Sequence, residues 1–432
     1  MAEKEETLRG IAQRFAEFHK EFSHFYATKT RDGSDVAEQY LKGLVQSSES
    51  NMEKMEEKVV GANSQSLQHF ITNSPWDERA VLAQVAKEGD KLLGGTEDSC
   101  LLIDETSFPK KGKKSVGVGR QYSGTLGKID NCQMGVFGAL VSGNKSLPLD
   151  FRLYLPKEWT DNPQRCIEAG IPEDKIRFAT KGQLASEIVR TAINNGIRFS
   201  WVGADAGYGK DPEFFADLYA LNKTFVVDVF KNQSIYFTDP NEPGSERQRV
   251  DTWASQQPQE LWSSITYRAS TKGLLTYDFL HTKVWIKVAR EETYREVRLL
   301  VRRSHTDISD IKFTVSNAAD DISVQRLAYM QGQRYWVERS FRDSKSTLGM
   351  SEYQLRKWRG WHHHMSMVAL AHLFMLRERI LNEEALPLLS MEDVVAMLAF
   401  YLPQRDATEE EMFRQMAVRH EKRQRDIDRN LH

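Results

Sequence analysis

Apolar positions along the first ninety residues recur three and four apart. Leu8, Ile11, Phe15, Phe18, Phe22 and Phe25 form one such stripe; Val36, Tyr40, Leu41 and Leu44 form a second; Trp76, Val81, Leu82 and Val85 form a third. That spacing predicts amphipathic helices, the third with Ser74-Pro75 as cap and first turn. Leu93-Gly94-Gly95 closes the region. Short apolar runs separated by Gly- and Pro-bearing turns follow, at 100–104, 116–118, 133–141, 151–155, 199–205 and 224–230, and these predict strands. Helical spacing at 184–193 and 214–221 interrupts them. Strands alternating with helices imply an α/β domain with a mixed sheet. Over 231–320 the pattern is mostly strand, at 264–267, 274–279, 284–288, 297–301 and 311–315, with Pro- and Gln-rich sequence at 239–259. That stretch reads as a β-rich insertion. Helix returns at 322–347 and 361–382, and 383–432 reads as a helical, charged tail.

The expected organisation is therefore a helical region over 1–93, a core over 94–230, the insertion over 231–320, a second part of the core over 321–382, and the tail. A length of 432 residues suits two or three domains at roughly 150 residues each. Hydrophobic residues make up 40% and charged residues 28%, which excludes a disordered chain. No apolar run approaches the ~20 residues of a membrane span, and the acidic start Met1-Ala-Glu-Lys-Glu-Glu is unlike a signal peptide. Cys100, Cys132 and Cys166 stand far apart with no CxxC pair; this excludes a disulfide framework and fits the reducing cytoplasm. A formal charge of −2 argues against a histone-like coat, but local patches decide nucleic-acid binding.

Two aspartates, Asp104 and Asp205, end apolar strands, the place where open α/β sheets put their ligands. A third acid, Glu338, lies in Arg334-Tyr-Trp-Val-Glu-Arg-Ser-Phe-Arg-Asp-Ser-Lys345, where helical periodicity puts Arg334, Glu338, Phe341 and Lys345 on one narrow face. The bland reading of that face is a surface ion-pair stripe. With the two strand-end acids it becomes a third carboxylate framed by phosphate-binding groups. Three hard carboxylates suit Mg²⁺ or Mn²⁺ better than zinc, and two such ions can serve an in-line displacement at phosphorus. Asp104 is expected to bridge them.

Nine Arg and Lys against four Asp and Glu in 331–380, and seven against three in 279–303, mark a path for DNA. Arg342 belongs to the first patch. Lys110 and Lys111, in Lys110-Lys-Gly-Lys-Lys114, are candidates for phosphate contact, or else a solvated turn. Gly112-Lys113-Lys114-Ser115 is not a phosphate-binding glycine loop, because Ser107 stands where its first glycine belongs. Tryptophans at 285, 336, 358 and 361 interleave with the bases. Trp285 is the candidate for stacking on an unpaired base, with core packing as the alternative. Consecutive His362, His363 and His364 point in different directions on a helix, so packing or phosphate contact is expected there and a metal site is not.

Several stretches taken in order resemble bacterial insertion-sequence transposases of the Asp-Asp-Glu (DDE) type. They are Leu101-Leu-Ile-Asp-Glu-Thr-Ser-Phe-Pro-Lys-Lys-Gly112, Ser115-Val-Gly-Val, Asn131-Cys-Gln, Leu153-Tyr-Leu-Pro, Gly203-Ala-Asp-Ala-Gly-Tyr-Gly209 and the Glu338 helix. Tyr40-Leu-Lys-Gly-Leu, Leu67-Gln-His-Phe and Ser74-Pro-Trp-Asp add to the likeness, which covers about residues 12 to 375 and is greatest to the group with a Tyr-Arg-Glu-Lys signature. The resemblance implies a ribonuclease-H-like α/β fold with a β-rich insertion, flanked by helical N-terminal and C-terminal regions. The 133 positions between Asp205 and Glu338 independently exceed a bare core of that kind. It also implies that Asp104, Asp205 and Glu338 are catalytic and bind two Mg²⁺ or Mn²⁺ ions, with Arg334 and Lys345 on phosphates. The signature tyrosine would fall three before the arginine, where Gln331 stands.

The expected activity is metal-dependent hydrolysis at transposon ends, followed by attack of the freed 3′-hydroxyl on target DNA. Double-stranded DNA and a second copy of the chain are the expected partners, in the bacterial cytoplasm at the nucleoid and away from membranes. The alternatives are a DNA endonuclease without strand transfer, a domesticated DNA-binding protein without catalysis, and, less well matched, a phosphatase or other two-metal hydrolase.

Overall fold

The computed structural model describes residues 8–29, 31–270, 273–291, 293–307 and 309–431; residues 1–7 of the expected helical region lie outside it. The chain divides into two compact units that ignore chain order. One gathers Met1–Val81, Asp343–Leu355 and Arg359–His432, the other Leu82–Arg342 and Arg356–Trp358.

The first unit is helical. The stripe Ile11, Phe15, Phe18 and Phe22 lies on Ile11–Phe22 and is buried throughout, with Phe15 and Phe18 meeting Phe374 at 5.0 and 5.3 Å between ring centres. Ser34–Gln46 follows as the spacing predicts. Two further helices escaped the periodicity, Met52–Lys58 and Ser64–Thr72. Each starts at an asparagine (Asn51, Asn63) whose side chain accepts backbone N–H bonds of the first turn, the usual N-cap device. The next helix begins at Glu78, not at Ser74-Pro75, because the Asp77 carboxylate accepts from the Arg79 and Ala80 N–H groups. Helix Trp358–Leu381 is buried nearly all round, as a helix without a polar face must be. Its three consecutive histidines are packing residues: His364 meets the Tyr40 hydroxyl at 2.8 Å, and His363 stacks on Trp76 at 3.7 Å. Burial pushes His363 down to about 4, so it is neutral at physiological pH.

The second unit holds one large sheet. Its strands are β1 (Cys100–Pro109), β2 (Gly119–Ser123), β3 (Lys128–Ser142), β4 (Lys145–Leu153), β5 (Trp201–Ala204), β6 (Thr224–Val229), β9 (Ser263–Ser270), β10 (Gly273–Lys287), β11 (Tyr294–Arg303) and β12 (Ile311–Ser316); β7 (Ser234–Ile235) and β8 (Gln248–Arg249) form a separate small pair. The antiparallel β1–β3–β4 meander is followed by β5 and β6, which run parallel to β1. This is the ribonuclease-H-like order. Helix Lys181–Asn194, opened by a Thr180/Gln183 capping box, packs on β3 and β4.

The insertion is no separate body. β12 pairs antiparallel with β6, and β11, β10 and β9 continue the sheet outward. The runs expected as two strands at 274–279 and 284–288 form the single strand β10, because its register with β11 is unbroken from Asp278↔Arg303 to Lys287↔Tyr294. Residues 116–118, expected as strand, are a turn instead: Gly117 sits at φ +71°, a conformation a strand cannot use. The helix expected over 322–347 is two, Val324–Gly332 and Arg334–Thr347.

Candidate active site

Parallel pairing explains how remote acids meet. Ile103 on β1 is opposite Ala204 on β5, and Ala204 is opposite Val227 on β6. The next residue of each strand is an aspartate, so Asp104, Asp205 and Asp228 stand in a row across three adjacent strands, about 5 Å apart at the backbone. Asp205 also caps the one-turn helix Ala206–Gly209, accepting the Gly207 N–H at 2.9 Å. Glu105 alternates away from Asp104 along the strand and pairs with Lys181 at 2.5 Å, which leaves Asp104 as the acid of this row.

Helix Arg334–Thr347 supplies the other side. Arg334 Nη1 donates to Asp228 Oδ2 at 2.7 Å, while Nη2 lies 3.4 Å from Glu338 Oε1 and 3.8 Å from Asp104 Oδ2. Asp104 and Glu338 thus share one guanidinium nitrogen. Asp228 is fixed from behind: Thr314 Oγ1 donates to its Oδ1 at 2.5 Å and itself accepts from Gln331 Nε2 at 2.5 Å. All three of these residues are buried.

The charges feel one another strongly. Burial raises the Asp104 carboxyl to about 7; the Asp205 and Glu338 charges add to the rise, and Arg334 opposes it. Burial raises Asp205 as well, again against the pull of Arg334. The Arg334 guanidinium is also desolvated, yet the acids around it, Asp228 foremost, hold its pKa above the ordinary arginine value.

Among the described residues, no trio of His, Cys, Asp and Glu side chains already stands at metal-ligating spacing. The Asp104, Asp228 and Glu338 carboxylates lie instead within 4 Å of the Arg334 guanidinium. The donor set nevertheless fits a hard divalent cation, being all carboxylate oxygen with no thiolate or imidazole. The Glu338 side chain is 54% exposed, so it has room to reorient onto one.

The chain has relatives among known proteins. A family model described as DDE superfamily endonuclease matches residues 17–273, well over half the chain. The chain belongs to the DDE superfamily endonucleases. A second model, described as Transposase DDE domain, matches residues 179–374, so the two matches together span all three acids and make this a DDE transposase. A Microchaete diplosiphon protein named "Probable transposase for insertion sequence element IS701" is 29% identical over 307 residues, covering 69% of this chain and 70% of the relative. The Tyr-Arg-Glu-Lys group is a finer matter. At the expected tyrosine position the transposase has Gln331, which supports Asp228 through Thr314.

The remaining expected contacts of the transposase are placed as follows. Arg342 is exposed on the Glu338 helix and Lys111 is exposed after β1. Burial pushes the Lys110 and Lys345 ammonium groups each down to about 8. Trp285 is half-buried on β10, and its backbone bridges to Tyr236. Sequence reasoning passed over Asp228 and Thr314, and met Gln331 only as the residue at the signature tyrosine's position. It also passed over a cleft of about 530 Å³ lined by Lys210, Arg247 and Lys287 with Phe230, Tyr236 and Tyr294, and by no carboxylate. Asp228 had a visible signal, an acid inside the apolar run Thr224-Phe-Val-Val-Asp-Val; the cleft had none, since its bases are scattered over 77 positions.

Proposed function

We propose that this DDE transposase mobilises an insertion sequence, hydrolysing a phosphodiester at each transposon end and joining the freed 3′-hydroxyl to target DNA. The observation that supports it most is that Asp104, Asp205 and Glu338 all act on one buried guanidinium, Asp104 from the middle of β1 (which runs on to Pro109, past the strand end expected at 104), Asp205 from the residue after β5, and Glu338 from a helix. In this reading these three acids are the catalytic residues and would hold two Mg²⁺ or Mn²⁺ ions. Bound there, such ions lower the pKa of the attacking water or hydroxyl and stabilise charge on the leaving oxygen. The protein need supply no general base. Its own part is to fix the row of acids through sheet register, to keep them desolvated, and to present positive charge to the flanking phosphates.

Arg334, Lys345, Arg342, Lys110 and Lys111 are assigned to phosphates, and Trp285 to base contact. The Lys210–Arg247–Lys287 cleft, cationic and edged by aromatic rings, suits a DNA strand leaving the site. The helical N-terminal region is assigned to end binding and assembly, and a homodimer to holding two ends. No helix among the described residues is long and apolar enough to cross a membrane; the proposed place of action is the bacterial cytoplasm, at the nucleoid.

The test is to incubate the full chain and Mg²⁺ with a target plasmid and duplexes carrying the sequences that flank this reading frame. Joined end–plasmid products are expected. Cut ends without joining would reduce the reading to an endonuclease, and no cutting in either Mg²⁺ or Mn²⁺ would overturn it. A second expectation concerns pH. Lys110 and Lys345, each near 8, lose charge as pH rises through that value, and phosphate binding favours their protonated form. Affinity for an end duplex at fixed salt should therefore be lower at pH 9 than at pH 7, and the salt slope shallower by roughly 1–2. Fluorescence anisotropy measures both, and identical titrations at the two pH values would contradict the phosphate role of these lysines.

A further inference from the structure

Three carboxylates lie within 4 Å of one guanidinium, and they hold it unequally. Asp228 binds Arg334 Nη1 at 2.7 Å, whereas Nη2 lies at the looser distances of 3.4 and 3.8 Å from Glu338 and Asp104. Only the first is a normal hydrogen-bond length. The Arg334 side chain is 13% exposed, and its Nε is buried without a hydrogen-bond partner. The guanidinium is therefore anchored at one tip and loosely shared at the other.

The anchor is itself built in. Thr314 has a single hydroxyl proton. Because its oxygen accepts from Gln331, that proton goes to Asp228 Oδ1, leaving Oδ2 for Arg334. This buried chain fixes both the position and the orientation of the Asp228 carboxylate, yet Asp228 is not one of the three acids assigned to metal. On the other side, Nη2 lies between Asp104 and Glu338, two of the acids that would hold a cation. Two positive charges cannot occupy that space together, since their repulsion is strong at a few ångströms in a desolvated site.

We propose that Arg334 is a counter-ion that competes with the divalent cation, and that Asp228 is the positioning residue that keeps it partnered when the cation enters. Asp104 and Glu338 exchange Nη2 for the metal ion, while Nη1 stays on Asp228. The guanidinium is then held beside the reacting centre with one tip open to a DNA phosphate, a geometry arginine serves well. Without Asp228 the guanidinium has only Asp104 and Glu338 to neutralise it, so it competes harder. Apparent metal affinity falls in proportion to the fraction of molecules in which the acids are free. The proposal rests on the reading that Asp104, Asp205 and Glu338 hold the metal.

The experiment is a Mn²⁺ titration of the full chain without DNA, read from the free-ion electron paramagnetic resonance signal, which needs no turnover. Arg334→Gln should tighten Mn²⁺ binding by roughly tenfold and Asp228→Asn should weaken it several-fold. The double variant should bind like Arg334→Gln alone, since Asp228 acts only through the arginine. Equal weakening by Asp228→Asn in both backgrounds would overturn the proposal and make Asp228 a ligand or a structural acid. So would an Arg334→Gln chain that binds no tighter than wild type. If Asp228→Asn does not fold, Thr314→Val releases the same carboxylate without removing it and should weaken binding only when Arg334 is present. Glu338→Gln separates the two levels: Mn²⁺ binding indifferent to that change would refute the metal site itself, whereas binding lost with it leaves the arginine comparison decisive.

Discussion

Glu338→Gln will abolish strand cleavage, by a factor on the order of 10³ or more, as expected when one member of a catalytic unit is lost. End binding should stay largely intact, because the glutamine keeps the volume of the side chain and the bases assigned to DNA are untouched. Asp104→Asn should lose cleavage equally, with an opposite sign in stability that identifies the buried acid. Burial raises the Asp104 carboxyl to about 7 in the folded chain, above the ordinary carboxylate range, so its ionised form opposes folding. That cost appears as pH rises from the unfolded value through 7 and is complete at pH 8. Asparagine removes it at the expense of a partner for Arg334, a net gain of about 2 kcal/mol at pH 8 and a Tm higher by about 4 °C. The gain should shrink as pH falls toward 4. Adding Mn²⁺ should raise the wild-type Tm but not the variant's, since only a chain that binds the ion is stabilised by it. Normal cleavage by Glu338→Gln in Mg²⁺, or an Asp104→Asn chain that melts below wild type at pH 8 without metal, would contradict the assignment.

The second large effect is expected at a glycine. Gly209 closes the one-turn helix that Asp205 opens, and that helix lies directly on β6. A methyl group at this position would overlap the Asp228 carbonyl oxygen and press on Val227. Neither can yield easily, because Asp228 is paired in the sheet with Thr314. The helix must lift, and Asp205 would move away from the row it shares with Asp104 and Asp228. Gly209→Ala is expected to destabilise the chain by about 3 kcal/mol and to slow cleavage severely even at temperatures where the variant is folded. Gly112→Ala is the control, since its added methyl meets nothing within 4 Å. Thermal melting and a cleavage assay at low temperature check both; a Gly209→Ala chain with wild-type melting would show that the close approach is not required.

Much of this site is legible locally. An acid at the end of a buried apolar run marks Asp104 and Asp205, since a charge is rarely placed there without a task. Helical spacing likewise puts Arg334 and Glu338 on one face. Asp228 carries the same local mark, but in a run read through to Phe230 it looked like one polar residue within a strand. Only the pairing of β5 with β6 sets it beside Asp205. The helices at Met52–Lys58 and Ser64–Thr72 are short and rich in polar residues, so their apolar period is too brief to register. Their asparagine caps were the better signal.

Periodicity alone settled the alternation of strands and helices, the helical ends of the chain, and the chemical character of the candidate site. Each of these is encoded within a few residues, by which side chains face the same way. Folding in three dimensions decided that the insertion lengthens the central sheet, that the Glu338 helix belongs partly to each unit, and that a fourth acid holds the arginine. Those outcomes depend on register between segments more than a hundred positions apart, such as Asp228 and Arg334. Register over such distances is set by the hydrogen-bonding and packing of the whole sheet, which no local pattern contains.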